Sequence, residues 1–284
     1  MMLVVTLLCR NEEDIIASTI NFYLSQGADK IVITDNASID GTRLILRNFE
    51  NDHRILVIDE MSYTHDQSKW VTRMNEIATN DLRADWIIHS DADEFWLPNY
   101  GCLKDFLSTL PFDCKAISVR RSNFLPPCLS SSSNIPFFES MTLRERRSLN
   151  SLGRELPPKV CHRSLPSITV DDGNHAVRQN NIAIPAPMHT DIKIFHYPVR
   201  SFRQFEQKIR LGSIAIENNP RIRDTGVGCT WRYLYHDYLL EGRLFEYYKS
   251  LRPEPDRLAT LVSNGDLIFD TRLRDQLRLY SLSF

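Results

Sequence analysis

The chain opens on a continuous apolar, partly β-branched run, Leu3-Val4-Val5-Thr6-Leu7-Leu8, the pattern of a strand covered on both faces in a parallel sheet. Ile16, Ile20, Tyr23 and Leu24 then recur at helical spacing, and Gly27 closes that apolar stripe as a C-cap. Lys30 to Thr34 reads as a second strand, after which Asp35 to Ser38 and Asp40-Gly41 supply turn and capping chemistry before a helix from Thr42. Arg54 to Ile58 reads as a third strand and Trp86-Ile87-Ile88 as a fourth. The helix between them, Gln67 to Asn80, carries Trp70, Met74 and Ile77 on one side.

Strands alternating with helices predict a parallel sheet with right-handed crossovers, whose ligands bind beyond the carboxyl ends of the strands. The residues at those ends are Arg10 to Glu12, Asp35 to Asp40, Asp59 to Gln67, and Ser90 to Glu94, all polar or charged clusters.

Farther on, Leu103 to Leu110 reads as a helix and Ala116 to Val119 as a strand. Pro126-Pro127, Ser130 to Asn134 and Pro136 predict a surface excursion, with Ser130 to Ser133 as a candidate acceptor-side lid. Phe202, Phe205, Ile209 and Ile216 share one helical face, and Trp231, Leu234, Tyr235 and Tyr238 another; both are expected to pack on the sheet. Beyond about Arg252 a weakly amphipathic helical segment follows Pro253 and Pro255, and no internal repeat is visible.

A chain of 284 residues can bury one large α/β core or two small ones, and the continuous alternation favours one. Its 34 basic and 36 acidic side chains are mixed along the sequence, for a net charge of -2, so duplex DNA or RNA is not an expected partner. Six cysteines lie far apart, without the close pairs of zinc sites, and read as reduced thiols. The first apolar run is too short for a signal-peptide core, and no stretch approaches the roughly 20 apolar residues of a spanning helix. A soluble, cytoplasmic protein is expected, which leaves room for peripheral contact with a membrane.

If Asp91 and Asp93 stay extended at the end of the fourth strand, the period of two aims both carboxylates the same way, and they can share one cation. Carboxylate oxygens suit hard Mg²⁺ or Mn²⁺, which commonly complete their shell with water or substrate phosphates. An isolated Asp-x-Asp equally caps a loop. Here it closes a βαβαβαβ unit at the edge where topology places a ligand.

The opening hundred or so residues resemble a family 2-type glycosyltransferase with the nucleotide-diphosphosugar-binding GT-A fold, a Rossmann-like mixed sheet flanked by helices. Leu8-Cys9-Arg10-Asn11-Glu12-Glu13 is similar to the family's opening motif. Asp35-Asn36-Ala37-Ser38-Ile39-Asp40-Gly41-Thr42 is similar to its second-strand motif, and His89-Ser90-Asp91-Ala92-Asp93-Glu94-Phe95-Trp96 to its DxD segment. Lys159-Val160-Cys161-His162-Arg163, Gly173-Asn174-His175 and Phe195-His196-Tyr197-Pro198 resemble a Glyco_tranf_2_4-like subgroup. The resemblance implies a GT-A domain over residues 1–250, with a donor half at about 1–100 and an acceptor half at about 101–250, followed by a helical extension at 251–284.

It also implies an enzyme that moves a sugar, hexosyl-like, from a nucleotide donor, by family habit a UDP-sugar, to a carbohydrate or glycoconjugate acceptor, with inversion. Arg10 and Glu12 would lie near the nucleotide, and Asp35 would accept from base or ribose; helix capping is the plainer role for Asp35 and Asp40. Asp91 would approach ribose and metal, Asp93 would bind the metal, and His196 would be either a third ligand or a hydrogen-bonded core group. Lys159 is the candidate phosphate cation, whereas Lys208 and Arg210 read as solvated surface charges.

The acceptor hydroxyl needs a base, and Asp171, Asp172, His175 and Glu94 are candidates, the first three also fitting an Asp-Gly turn. No QxxRW-type segment is present, which sets the chain apart from processive synthases. Phe95, Trp96 and Trp70 could stack on sugars or fill the core. A nucleotidyltransferase is a competing reading, but Leu8 to Glu13 lacks the glycine that close approach to triphosphate requires. A non-catalytic nucleotide-sugar or carbohydrate binder is the other.

Overall fold

β1 (Leu3–Cys9), α1 (Ile16–Ser25), β2 (Lys30–Asn36), α2 (Thr42–Arg47), β3 (Ile55–Glu60), α3 (Gln67–Glu76) and β4 (Trp86–Asp91) follow one another in the expected order. They belong to a computed structural model that describes residues 1–129 and 135–281. β1 lies between β2 and β4, parallel to both, and β3 pairs with the outer side of β2. Leu8 stands opposite Asp91, Cys9 opposite Asp35, and Asp35 opposite Asp59, so the polar strand ends line one carboxyl edge.

Burial explains why these runs are apolar throughout. Val4, Val5, Ile31, Ile33, Trp86, Ile87 and Ile88 have no solvent exposure, as expected where helices cover both faces. Ile16, Ile20 and Tyr23 bury the stripe of α1, and Gly27 takes the left-handed conformation just past its end. The helix expected over Gln67 to Asn80 is α-helical to Glu76 and continues as a wider π turn over Ile77–Asp81.

The sheet then departs from pure alternation. The strand Lys159–Arg163 lies against β4 and runs antiparallel to it, and β6 (Ala116–Val119) pairs antiparallel with its far side. The result is a mixed six-stranded sheet. β5 (Glu94–Pro98) leaves a turn after β4 to join a separate small sheet beside the strand that starts at Ile192, and α4 (Leu103–Ser108) precedes β6. Phe95, Trp96 and Trp70 are all buried, with Phe95 edge-on to Phe22, which makes them core residues rather than sugar platforms.

Contacts divide the chain into two interleaved units, one built from Met1–Arg121 and Pro157–Phe195, the other from Ser122–Leu156 and His196–Leu279. In the second unit, the helices Phe202–Glu217, Cys229–Leu234 and Leu244–Ser250 share a core of Val199, Phe205, Ile209, Leu234, Leu244 and Tyr248. The two amphipathic helices expected on the sheet thus bury their stripes in this core. The segment after 251 is not set apart as an extension, because its strand Leu267–Phe269 pairs with Leu143–Glu145 inside the same unit. The Ser130 to Ser133 lid lies outside the described residues. No helix among the described residues is long and apolar enough to cross a membrane.

Candidate active site

Two loops at the carboxyl edge are stitched together by side chains from the opening motif. Asn11 donates its backbone N–H to Ser38 Oγ (2.9 Å) and accepts at Oδ1 from Ile39 N–H (2.8 Å). Glu12 N–H donates to Thr42 Oγ1 (2.7 Å), and Glu13 Oε2 accepts from Gly41 N–H (2.7 Å). Asp40 accepts from Thr42 N–H at the start of α2 (2.9 Å), a local turn bond just ahead of the N-cap residue Gly41. Asn11 and Ala37 hold positive φ values of 56° and 49° at this junction, strain that the stitching sustains.

Asp35 is 3 % exposed and accepts from Ser38 Oγ at 2.5 Å. Burial raises its pKa above the ordinary carboxylate value, and the Ser38 hydrogen bond only partly offsets that. The Arg10 guanidinium lies 5.9 Å from the ring centre of Tyr63, which is 65 % exposed, and Arg10 Nε is buried without a hydrogen-bond partner. Asn36 Nδ2 donates to Ser62 O (2.6 Å) and thereby fixes the loop that carries Tyr63. Glu12 is buried at the start of the α1 turn, where its carbonyl accepts from Ile15 and Ile16 N–H.

Asp91 ends β4, and Ala92-Asp93 turn the chain into β5, so the extended geometry that would aim the two carboxylates together is not present. The Asp91 side chain is 31 % exposed, while Asp93 is 2 % exposed. Asp91 Oδ1 accepts from Gln67 Nε2 (3.1 Å) and Asn174 Nδ2 (3.3 Å), and Oδ2 accepts from Lys159 Nζ (2.6 Å). Burial and Asp93 work to raise the Asp91 pKa, but the Lys159 ammonium outweighs them and holds it below the ordinary value.

Lys159 reaches this edge because its strand runs antiparallel to β4, which sets its first residue beside the last residues of β4. Its side chain is 1 % exposed, and Nζ also lies 3.2 Å from Glu94 Oε1. Arg121 Nη1 approaches the same oxygen at 3.4 Å and anchors Nη2 on Pro157 O (3.0 Å). Glu94 has no solvent exposure, and its Oε2 is buried without a hydrogen-bond partner. A carboxylate so enclosed is paired with both cations.

The segment Val170 to His175 closes over this cluster. Gln67 Oε1 accepts from Gly173 N–H (3.0 Å), and Asp172 Oδ1 accepts from Ser68 N–H (3.1 Å). Gly173 has a φ of 76°, where a Cβ would run into His175 Nε2. His175 Nδ1 faces Pro158 O at 2.8 Å. A carbonyl only accepts, so Nδ1 carries the proton and the neutral ring presents Nε2 as its basic nitrogen. Burial, reinforced by Lys159 and Arg121, pulls the His175 pKa down to about 4. Asp171 is engaged instead with Arg178, at 3.0 Å.

Asp91 and Asp93 are hard oxygen donors suited to Mg²⁺ or Mn²⁺. Among the described residues no three His, Cys, Asp or Glu side chains converge as a cage. Two such donors would leave most of an octahedral Mg²⁺ shell to water or substrate oxygens. His196 lies in the second unit, where its Nδ1 pairs with Asn123 Oδ1 (2.7 Å).

The sequence profile of Glycosyl transferase family 2 matches residues 4–152, more than half of the chain. The chain belongs to glycosyl transferase family 2. Among solved structures this family member is similar to S. aureus TarS 1-349, at 14% identity over 78% of this chain and 66% of that one, TM-score 0.43. It thus spans just under two thirds of that structure's length. It is also similar to TarS 1-349 in complex with UDP-GlcNAc, at 13% identity over 91% and 84% of the two chains, TM-score 0.44. A mycobacterial protein is similar at 18% identity over 43% and 41%, TM-score 0.32. Comparison with curated protein sequences yields no match.

Gln67, Asn174, Arg121 and Tyr63 join the candidate site although the sequence does not single them out one by one. Gln67 and Tyr63 sit in a polar cluster flagged at the end of β3, and Asn174 inside a quoted motif. Arg121 carries no sequence signal.

Proposed function

We propose that this chain transfers a glycosyl group from a nucleoside-diphosphate donor, UDP-linked, to a hydroxyl of a carbohydrate or glycoconjugate acceptor, with inversion and with Mn²⁺ or Mg²⁺ held by Asp91 and Asp93. Family membership supports the reaction class. The observation that carries the site is the fixing of Asp91 at the carboxyl edge of β4, with one oxygen on two amides and the other on Lys159. Such preorganisation aims charge where a diphosphate would depart.

In this reading Asp35 accepts from the base or ribose, Arg10 and Tyr63 flank the nucleotide, and Lys159 and Arg121 supply positive charge. When bound, the divalent cation supplies Lewis-acid charge for the leaving diphosphate. The acceptor oxygen forms its bond to the anomeric carbon as the bond to the diphosphate breaks, and its proton passes to Asp172 or to His175 Nε2. A cytoplasmic site of action belongs to the same proposal.

Isothermal titration with UDP and with GDP, each with Mn²⁺ and with chelator, tests it. Metal-dependent UDP binding that is lost in Asp93→Ala is the expected result; a folded protein that binds neither nucleotide overturns the donor assignment. A non-catalytic binder would bind donor yet release no sugar, so donor hydrolysis with and without metal separates that reading.

A further inference from the structure

The ammonium of Lys159 holds one oxygen of Asp91, a residue proposed to bind the cation. Its two carboxylate partners differ in a telling way. Asp91 has both oxygens engaged, Oδ1 by Gln67 and Asn174 and Oδ2 by Lys159 at 2.6 Å. Glu94 shares Oε1 with Lys159 (3.2 Å) and Arg121 (3.4 Å), while its Oε2 is buried with no partner. A carboxylate oxygen with no exposure and no donor is costly and rare.

We propose that Lys159 is an exchangeable internal counter-ion: it neutralises Asp91 in the free protein and shifts onto Glu94 Oε2 when a divalent cation arrives with the donor diphosphate. The inference rests on the donor-site reading above. Its physical logic is competition for one oxygen. A free metal ion must evict an ammonium held at 2.6 Å in a site where the lysine is 1 % exposed, which weakens its binding. The diphosphate changes that balance, because it brings additional anionic oxygens for the metal and Glu94 retains the displaced charge. Arg121, tied to Pro157 O, stays in place, so Glu94 faces a cation on either side of the exchange. Asp91 is thereby reserved for metal that comes with donor.

Mn²⁺ uptake followed by the electron paramagnetic resonance of free Mn²⁺ reads this without turnover. In the wild-type chain, Mn²⁺ alone binds weakly and UDP tightens it. Removing the lysine charge in Lys159→Met tightens binding of Mn²⁺ alone by about 10-fold or more and shrinks the UDP effect, the opposite of what a merely structural lysine would do. Glu94→Gln removes the second station, so UDP-assisted uptake falls by about 10-fold while uptake of Mn²⁺ alone stays weak. Circular dichroism melts confirm that each variant is folded. Unchanged or weaker binding of Mn²⁺ alone by folded Lys159→Met overturns the exchange, and wild-type UDP synergy in that same experiment leaves the donor site standing. Wild-type-like uptake by Glu94→Gln likewise removes Glu94 as the second station. If the wild type takes up no Mn²⁺ even with UDP, both readings fall together.

Discussion

His89 and His162 face each other in the core with Nε2 3.0 Å from Nε2, and a single arrangement of protons satisfies the pair when both rings are neutral. His162 Nδ1 lies 2.7 Å from Arg163 O, which can only accept, so Nδ1 carries the proton and Nε2 is bare. His89 must then donate from Nε2, and its Nδ1 accepts from Thr6 Oγ1 at 2.8 Å. A second added proton has no place, and even the first would charge a site where both histidines have no exposure.

This pair predicts acid sensitivity of the fold. Burial pushes the His162 pKa down to about 4, and burial together with His162 holds His89 well below its ordinary value. Free histidines of the unfolded chain titrate near about 6.5, so below that pH the unfolded state binds more protons than the folded one. Stability is fully present above pH about 6.5 and declines towards pH about 4, by about 3 kcal/mol for His162 alone. Urea midpoints measured from pH 7 downward should fall along this limb, and the slope should lessen in His162→Gln.

Gly173→Ala should damage the site and the fold together. The position is held at a φ of 76°, and the new Cβ would push His175 off its bond to Pro158 O. A loss of about 1–3 kcal/mol is expected from the left-handed backbone and the displaced ring. Thermal melts read the stability, and transfer assays should show a fall in kcat. A variant with wild-type melting and kcat would remove the closure by Val170 to His175 from the account.

The pH profile of transfer separates the candidate bases. If His175 Nε2 takes the acceptor proton, activity requires the neutral ring and is lost as pH falls through about 4, not through the ordinary histidine range. An acid limb in kcat/KM centred near about 6.5 would exclude His175 as it sits here. Transfer that persists in His175→Gln and is abolished in Asp172→Asn assigns the base to Asp172.

Tyr63→Ala tests the nucleotide side. An exposed ring beside the Arg10 guanidinium offers a face to a base, and its loss should weaken nucleotide binding by about 10-fold. Calorimetry that gives the wild-type Kd would place the base elsewhere along the edge.

Much of the first unit is legible in the sequence, for a local reason. Leu3 to Leu8, Lys30 to Thr34 and Trp86 to Ile88 declare themselves because strands buried on both faces must be apolar at every position, and Asp91 follows because parallel strands all end at one edge. Ile16, Ile20 and Tyr23 announce α1 because a helix shows one face to the core. Even the turn at Ala92-Asp93 is local, yet periodicity alone extends the strand through it.

What the tertiary structure decided is the company Asp91 keeps. Lys159 lies 68 positions away and Asn174 lies 83 away, and they meet Asp91 only because Lys159–Arg163 runs antiparallel on β4 and the segment after it folds back across α3. Strand direction and partner choice depend on contacts between distant segments, which no local pattern of apolar residues records. The same holds for Arg121 and for the interleaving of the two units. Apolar periodicity set the scaffold and the edge, whereas long-range pairing set the charge balance on that edge.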